Sequence, residues 1–481
     1  MRFAALFLSI PAFAADSFEA LGTEIRRQLT ESGAASLSVA LARDGKIVWE
    51  EGFGWADKAA RRRATAHTMY SLASISKPIT ATGLMRLVES GRVKLDAPVD
   101  EYLGAAKIRG RAFDASQATV RRIANHSSGL PLHYQFFYED EPYRRPSMDD
   151  TILRYANLVT APGERYQYSN LGYGILDSVV SRVSGKPYAD YMREQVFEPL
   201  GLTHTSVNVP AELAGHQAVR YDPTGAPIPF YDFDHPGGSA VYSSAHDLVR
   251  FGMFHLGEKL EDQRAILSAA SLEEMRKPTM MTGPKAWYGV GWAIADGPGG
   301  YRVISHTGSM GGVATSLRLI PSERIALAVL CNSGVALPHR VADRILARVP
   351  PKWKEPAPGM APVAAPKFEP APDLQGVWRG SVSTYKRDLP LRLEFRSDGL
   401  VRARLGDQLE TLVNTPAFRD GMFTGRINGD LGTEDVNRRP YTIQLSLTLR
   451  GAALNGSASA LSNPGRRAGN ALSHWVEARK E

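Results

Sequence analysis

The chain has 481 residues, 43% hydrophobic, 22% charged and 9% aromatic, which is ordinary globular composition with room for two or three domains. A net charge of +7 is a mild excess for this length, and no run of five or six like charges concentrates it, so a nucleic-acid partner is not expected. The single cysteine, Cys331, excludes an intramolecular disulfide.

The first residues read as a secretory signal spanning residues 1–14. Met1-Arg2 gives a minimal positive end, Phe3 to Ile10 a short apolar run, and Ala12-Phe13-Ala14 a small-x-small cleavage site. This predicts a periplasmic or secreted protein. The run is too short to span a bilayer and no other stretch of about 18 apolar residues follows, so no transmembrane segment is expected. The basic excess would favour association with an anionic cell envelope.

The mature part opens with a helix over Phe18–Thr30 and two strands, Ser36–Ala42 and Lys46–Gly52, joined by Arg43-Asp44-Gly45. Arg61-Arg62-Arg63 is a solvated loop. Next comes Ser74-Ile75-Ser76-Lys77, which sets a hydroxyl and an amine one helical turn apart. Such an amine can assist removal of the serine proton if burial and the helix N-terminus lower its pKa. Pro78 suits a first helical turn, and Ala81, Leu84, Met85 and Val88 form the stripe of a buried helix over Ile79–Glu89. Two common residues at fixed spacing are weak evidence by themselves, and Ser383-Thr384-Tyr385-Lys386 repeats the pattern with no helix after it.

Tyr168-Ser169-Asn170 follows the turn Pro162-Gly163 and precedes a helix over Leu171–Val183. A phenol near a lysine can shuttle protons, and an amide can orient both lysine and substrate. Tyr155-Ala156-Asn157 shares the spacing but lies in an amphipathic helix, where its tyrosine packs. A further helix covers Ala245–His255.

Strands are then expected at Ala293–Ala295, Arg302–Ile304, Thr315–Ile320 and Ile325–Leu330. Strands at both ends with helices between predict one antiparallel sheet closed by its terminal strands. His306-Thr307-Gly308-Ser309 suits an edge strand where glycine permits a ligand close to the backbone. The triplets His235-Pro236-Gly237 and His255-Leu256-Gly257 share the H-x-G spacing, so the triplet alone is uninformative. Cys331 ends a buried strand and reads as a packed thiol. Residues 350–372 form a Pro/Ala-rich linker. From 373 to 481, period-two alternation in Leu391–Phe395, Leu400–Leu405 and Tyr441–Leu449 predicts a small β-barrel or sandwich.

The three motifs stand in the order S-x-x-K, Y-x-N, H-x-G, and their flanks agree. Met69 to Lys77, Asn125-His-Ser-Ser-Gly-Leu-Pro131, Pro162 to Tyr173, and Gly237-Gly238 with Ser243 to Leu248 each resemble segments of the serine β-lactamase and penicillin-binding-protein family over nearly all of residues 17–349. The resemblance implies an α+β fold with an antiparallel sheet and a helical subdomain, and for the tail a lipocalin-like barrel. It implies Ser74, Lys77 and Tyr168 as catalytic residues, with the choice of Lys77 or Tyr168 as general base left open. It further implies Asn170, His306, Thr307, Gly308 and Ser309 as substrate-binding, with the Ser74 and Ser309 backbone N–H groups binding an oxyanion.

His306 departs from the lysine of class C β-lactamases and many carboxypeptidases. A histidine near neutral pH is only partly charged, which favours an ester or a D-amino-acid peptide over a β-lactam as substrate. The expected activity is therefore hydrolysis of an ester or amide of a small molecule or peptide through an acyl-Ser74 intermediate. The alternatives are a β-lactamase or DD-carboxypeptidase, and a slow-acylating sensor or binding protein. No cofactor or metal is expected. H-E-x-x-H and H-x-H-x-D-H are absent, as is G-x-S-x-G.

Overall fold

The computed structural model describes residues 12–354, 368–462, 465 and 467–481. The apolar run of the expected signal and most of the expected linker lie outside them. Among the described residues no helix is long and apolar enough to cross a membrane.

The first helix runs Ala12–Ser32, earlier than its expected start at Phe18. The main sheet has nine strands, and its centre joins the two ends of the catalytic region. Ser36–Arg43 pairs antiparallel with Ile325–Cys331, Val39 opposite Val329. Alternation then sorts side chains by size. Leu37, Val39 and Leu41 share a core with Leu21, Ile25 and Leu29 of the first helix and with Val341 and Ile345 of a last helix, Leu337–Leu346. Ala40, Ala42, Ala326 and Ala328 face the other way. Their small size lets the helix Ala245–Leu256 come close, so that a Cβ on its Gly252 would stand 2.9 Å from that of Ala326. Both faces of the sheet are covered by helices, which explains why its central strands read as continuous apolar runs. Cys331 is fully buried there, and burial pushes its thiol up to about 12.

The helices between the terminal strands build the second half of the catalytic region. Ser76–Glu89 and Asn170–Ser184 are its two central ones, each buried on most sides. Asn170–Ser184 begins at the N-cap Ser169, whose side chain accepts from the Gly172 N–H, and ends at left-handed Gly185.

The tail is a nearly closed antiparallel barrel of nine strands. Its two edges are consecutive in sequence: Thr411–Leu412 pairs with one end of the sheet and Asn414–Arg419 with the other, and the Val413 N–H donates to Val401 O at 2.8 Å. One stretch of chain thereby seals both edges. Leu389, Leu391, Leu393 and Phe395 point inward, as their period-two spacing requires.

The barrel docks on the catalytic region through backbone as well as side chains. Tyr134 and Ala471 exchange N–H···O bonds of 3.0 and 2.9 Å, and Asn470 Oδ1 accepts from the Phe136 N–H at 2.9 Å. Arg439 grips Glu141 bidentately at 2.8 and 3.1 Å. Tyr155, the tyrosine of the second Y-x-N triplet, is buried and donates its hydroxyl to the barrel's Asp435.

Candidate active site

Ser74 lies in a single 3₁₀ turn, Ala73–Ile75, that leads into the helix Ser76–Glu89. Ala73 carries φ +48°, a left-handed conformation that non-glycine residues rarely adopt. Contacts from two neighbouring strands, Val313–Ile320 and Arg302–Met310, hold this turn against the sheet. From the first, Thr315 Oγ1 donates to Leu72 O at 3.0 Å. In the second, a Cβ at Gly308 would fall 2.1 Å from Leu72 O and 3.1 Å from that of Ala73, so glycine is what lets the strand lie beside the Ser74 turn.

Lys77 is fully buried one turn after Ser74, with Nζ 3.2 Å from Ser74 Oγ, 2.7 Å from Asn170 Oδ1 and 3.0 Å from Gly238 O. No carboxylate is among these partners, and burial holds its pKa well below the ordinary 10.5. Tyr168 donates its hydroxyl to Ser74 Oγ at 2.8 Å. Burial raises its pKa above the ordinary 10, so it is a neutral phenol at physiological pH. The structure thus gathers Ser74, Lys77, Tyr168 and Asn170 around one hydroxyl.

The H-x-G segment differs from expectation in two ways. Its strand extends to Met310 and lies inside the sheet, not at its edge. The neighbouring strand Ala293–Asp296 stops at the pair Ala293–Ser305, however, so no strand pairs with His306–Met310 on that side. Ser309 faces the same two cavities as Ser74, of about 380 and 320 Å³, and Thr307 and His306 line the smaller.

The second difference is the charge of His306. Burial first, and then the neighbouring Lys77, push its pKa down from 6.5 to about 3. Its Nδ1–H donates to Thr307 O at 2.8 Å, and its Nε2 accepts from the Tyr288 hydroxyl at 2.7 Å. Desolvation thus favours a neutral imidazole over a partly charged one, against the opposite pull of the bond to Thr307 O.

Further residues complete this site, His126 and Gly238 among them in segments that the family resemblance already marks. His126 is buried behind Tyr168, ring centroids 4.3 Å apart, and its Nδ1 accepts from the Ser169 N–H at 3.2 Å, so it positions the Y-x-N turn. His235, whose H-x-G triplet is uninformative by itself, lines the larger cavity. Its Nδ1 bonds Asp234 Oδ1 at 2.6 Å, and Asp234 Oδ2 bonds His133 Nε2 at 2.5 Å. Pairing with these two imidazoles outweighs burial and holds the Asp234 carboxyl well below the usual carboxylate range. Gly238 contributes through its carbonyl. Asp177 Oδ2 supports the turn before it by accepting from the Gly237 N–H at 2.6 Å. Finally, Ala468 and Gly469 bring the barrel into the wall of the larger cavity.

Residues 21–350 match the family model described as Beta-lactamase. The chain belongs to the beta-lactamase family. It is 27% identical over 317 residues to Penicillin-binding protein 4* of Bacillus subtilis, covering 61% of this chain and 67% of that protein. The fold of both regions together resembles the octameric penicillin-binding protein homologue from Pyrococcus abyssi, with a TM-score of 0.60, 22% identity, and coverage of 96% of this chain and 99% of that one. A hydrolase with promiscuous acyltransferase activity shares the fold of the catalytic region, with a TM-score of 0.58, 20% identity, and coverage of 69% of this chain and all of that one. This beta-lactamase-family chain is thus a serine hydrolase of the penicillin-recognising fold with a barrel added behind it.

Proposed function

We propose that the protein hydrolyses an uncharged ester, or an amide with no free charge near the scissile bond, through an acyl-Ser74 intermediate. The observation that carries this reading is the chemistry of the cavities beside Ser74. Among the described residues that line them there is no lysine, arginine, aspartate or glutamate. His306, at the position where a charged lysine would hold a carboxylate, is neutral. A substrate carboxylate or ammonium would lose hydration without gaining a partner, a cost of several kcal/mol. Leu132, Tyr134, Phe136 and Met310 offer apolar and aromatic contact instead.

The hydrogen bonds also support a division of proton roles. A neutral Lys77 amine has two N–H donors, which Asn170 Oδ1 and Gly238 O accept. Its lone pair then faces Ser74 Oγ, 3.2 Å away. Tyr168, neutral and donating to Ser74 Oγ, cannot receive the serine proton in this arrangement. Lys77 is accordingly the base for acylation. As Oγ attacks the carbonyl carbon, its proton passes to Lys77, and the carbonyl oxygen gains negative charge beside the backbone N–H groups of Ser74 and Ser309. Tyr168 protonates the departing alkoxide or amine and recovers a proton from Lys77. Water then attacks the acyl carbon by the same route in reverse, returning Ser74.

The test offers purified protein a p-nitrophenyl ester, a D-alanyl anilide and a fluorescent penicillin, with intact-mass detection of adducts. Ester turnover with an acyl mass on Ser74 is expected. Turnover of the anilide or the penicillin, with the ester untouched, would overturn the uncharged-substrate reading. A stable penicillin adduct without turnover of any substrate would mark a sensor.

A further inference from the structure

A second group of residues with ligating chemistry lies away from the catalytic cavities. Glu50, in the strand Lys46–Asp57, faces His67, in the turn that leads toward Ser74, and His246, the second residue of the helix Ala245–Leu256. One ligand atom from each falls within 4.8 Å of the others. Glu50 Oε2 lies 2.8 Å from His246 Nδ1, and Glu50 Oε1 lies 4.0 Å from His67 Nε2. Two more imidazoles continue the group. The His67 ring is 4.5 Å from that of His246 and 5.4 Å from that of His204, which is 4.6 Å from that of His216. Four of the chain's 11 histidines thus share one patch.

We propose that Glu50, His67 and His246 form a binding site for a borderline transition-metal ion, Zn²⁺ foremost. In tetrahedral coordination at about 2.0–2.2 Å, ligand atoms stand roughly 3.3–3.5 Å apart. The separations here bracket that value, and the side chains are 26–46% exposed, free to adjust by rotation. Two imidazoles and one carboxylate suit Zn²⁺, whereas Mg²⁺ and Ca²⁺ require more oxygen ligands than the patch holds. The fourth position is left to water or to His204. A carboxylate offsets part of the ion's charge, and ligation through His246 Nδ1 places that ring's N–H on Nε2.

The ligands come from three separate segments, already close because the His246 N–H donates to Ala66 O at 3.1 Å. An ion there would tie a sheet strand, the helix covering it and the segment running toward Ser74. None of the three ligands lines the cavities beside Ser74, so the ion's role is to brace the fold, with no part in acyl transfer.

The test uses full-length protein without a histidine tag, stripped by chelator and titrated with ZnCl₂ in a calorimeter. Melting temperature and ester turnover are followed in parallel. One Zn²⁺ per chain at micromolar or tighter affinity is expected, with a rise of several degrees in Tm, an unchanged kcat, and no response to MgCl₂. Glu50→Gln and His67→Ala should each weaken binding by about tenfold or more while keeping the circular dichroism and turnover of the parent. A Co²⁺ complex should show the intense visible bands of a four-coordinate site, lost in His67→Ala. Absence of binding at 100-fold excess Zn²⁺, or equal affinity in the Glu50→Gln/His67→Ala double variant, would overturn the proposal.

Discussion

Ser74–Lys77 and Ser383–Lys386 have the same spacing and opposite surroundings. The first opens a buried helix. Its lysine is enclosed, has no acidic partner and is held below its ordinary pKa. The second closes the barrel strand Gly376–Ser383, and its lysine reaches out to Glu434 at 2.7 Å with 41% of the side chain exposed. Spacing alone therefore carries no chemistry. A helical turn brings hydroxyl and amine together, and removal of water disfavours the ammonium, so that the neutral amine with its free lone pair is more available near neutral pH.

Substitutions can break this comparison, and the largest effect is expected at the nucleophile. Ser74→Ala should lower kcat by about 10⁴-fold or more and abolish the acyl adduct in intact mass spectra. Persistent turnover would remove Ser74 from the mechanism. Tyr168→Phe removes the donor to Ser74 Oγ and should cost about 10²–10⁴-fold in kcat, with acylation still detectable because Lys77 is the base. Loss of acylation as complete as in Ser74→Ala would return the base to Tyr168.

The pH profile sharpens the same contrast. The reactive form has neutral Lys77, so kcat/KM should rise with pH and fall about tenfold per unit below the lysine's pKa. That limb should lie well below 10.5, since burial disfavours the ammonium; a limb at the ordinary value would contradict a desolvated base. A smaller effect is expected at the barrel's contribution. Ala468→Trp should reduce kcat/KM for a bulky acyl chain by about tenfold and spare an acetyl ester, measured on a chain-length series. The smallest is Lys386→Ala. It should leave turnover within twofold and stability within about 1 kcal/mol, as for an exposed ion pair.

Much of the catalytic region was legible in sequence because its elements carry strong periodicity. The strands at both ends and the helices at Ile79, Leu171 and Ala245 stand within a few residues of where apolar spacing puts them. The extension of Arg302–Met310 through the H-x-G segment was not legible, because Thr307, Gly308 and Ser309 have no apolar alternation. Neither was the charge of His306. Its neutrality comes from enclosure and then from the neighbouring Lys77, neither of which the H-x-G triplet encodes. The place of His235 is not legible either, because its triplet carries no information about Asp234 and His133 behind it. The barrel was visible as alternation, but its reach into the cavity depends on docking that alternation does not encode.

The pairing at the centre of the main sheet has a consequence in time. Ser333 Oγ accepts from the Ala35 N–H across 298 residues of sequence, beside the strand pair that joins the two ends of the catalytic region. A ribosome adding about 5–20 residues per second leaves the early strand without its neighbour for roughly 15 to 60 s. High contact order then slows closure further. The strand carrying Gly308 and Ser309 arrives in that same late stretch, so a growing chain holds Ser74 without Ser309 beside it. On the proposed mechanism, a chain truncated before that strand is expected to turn over no ester.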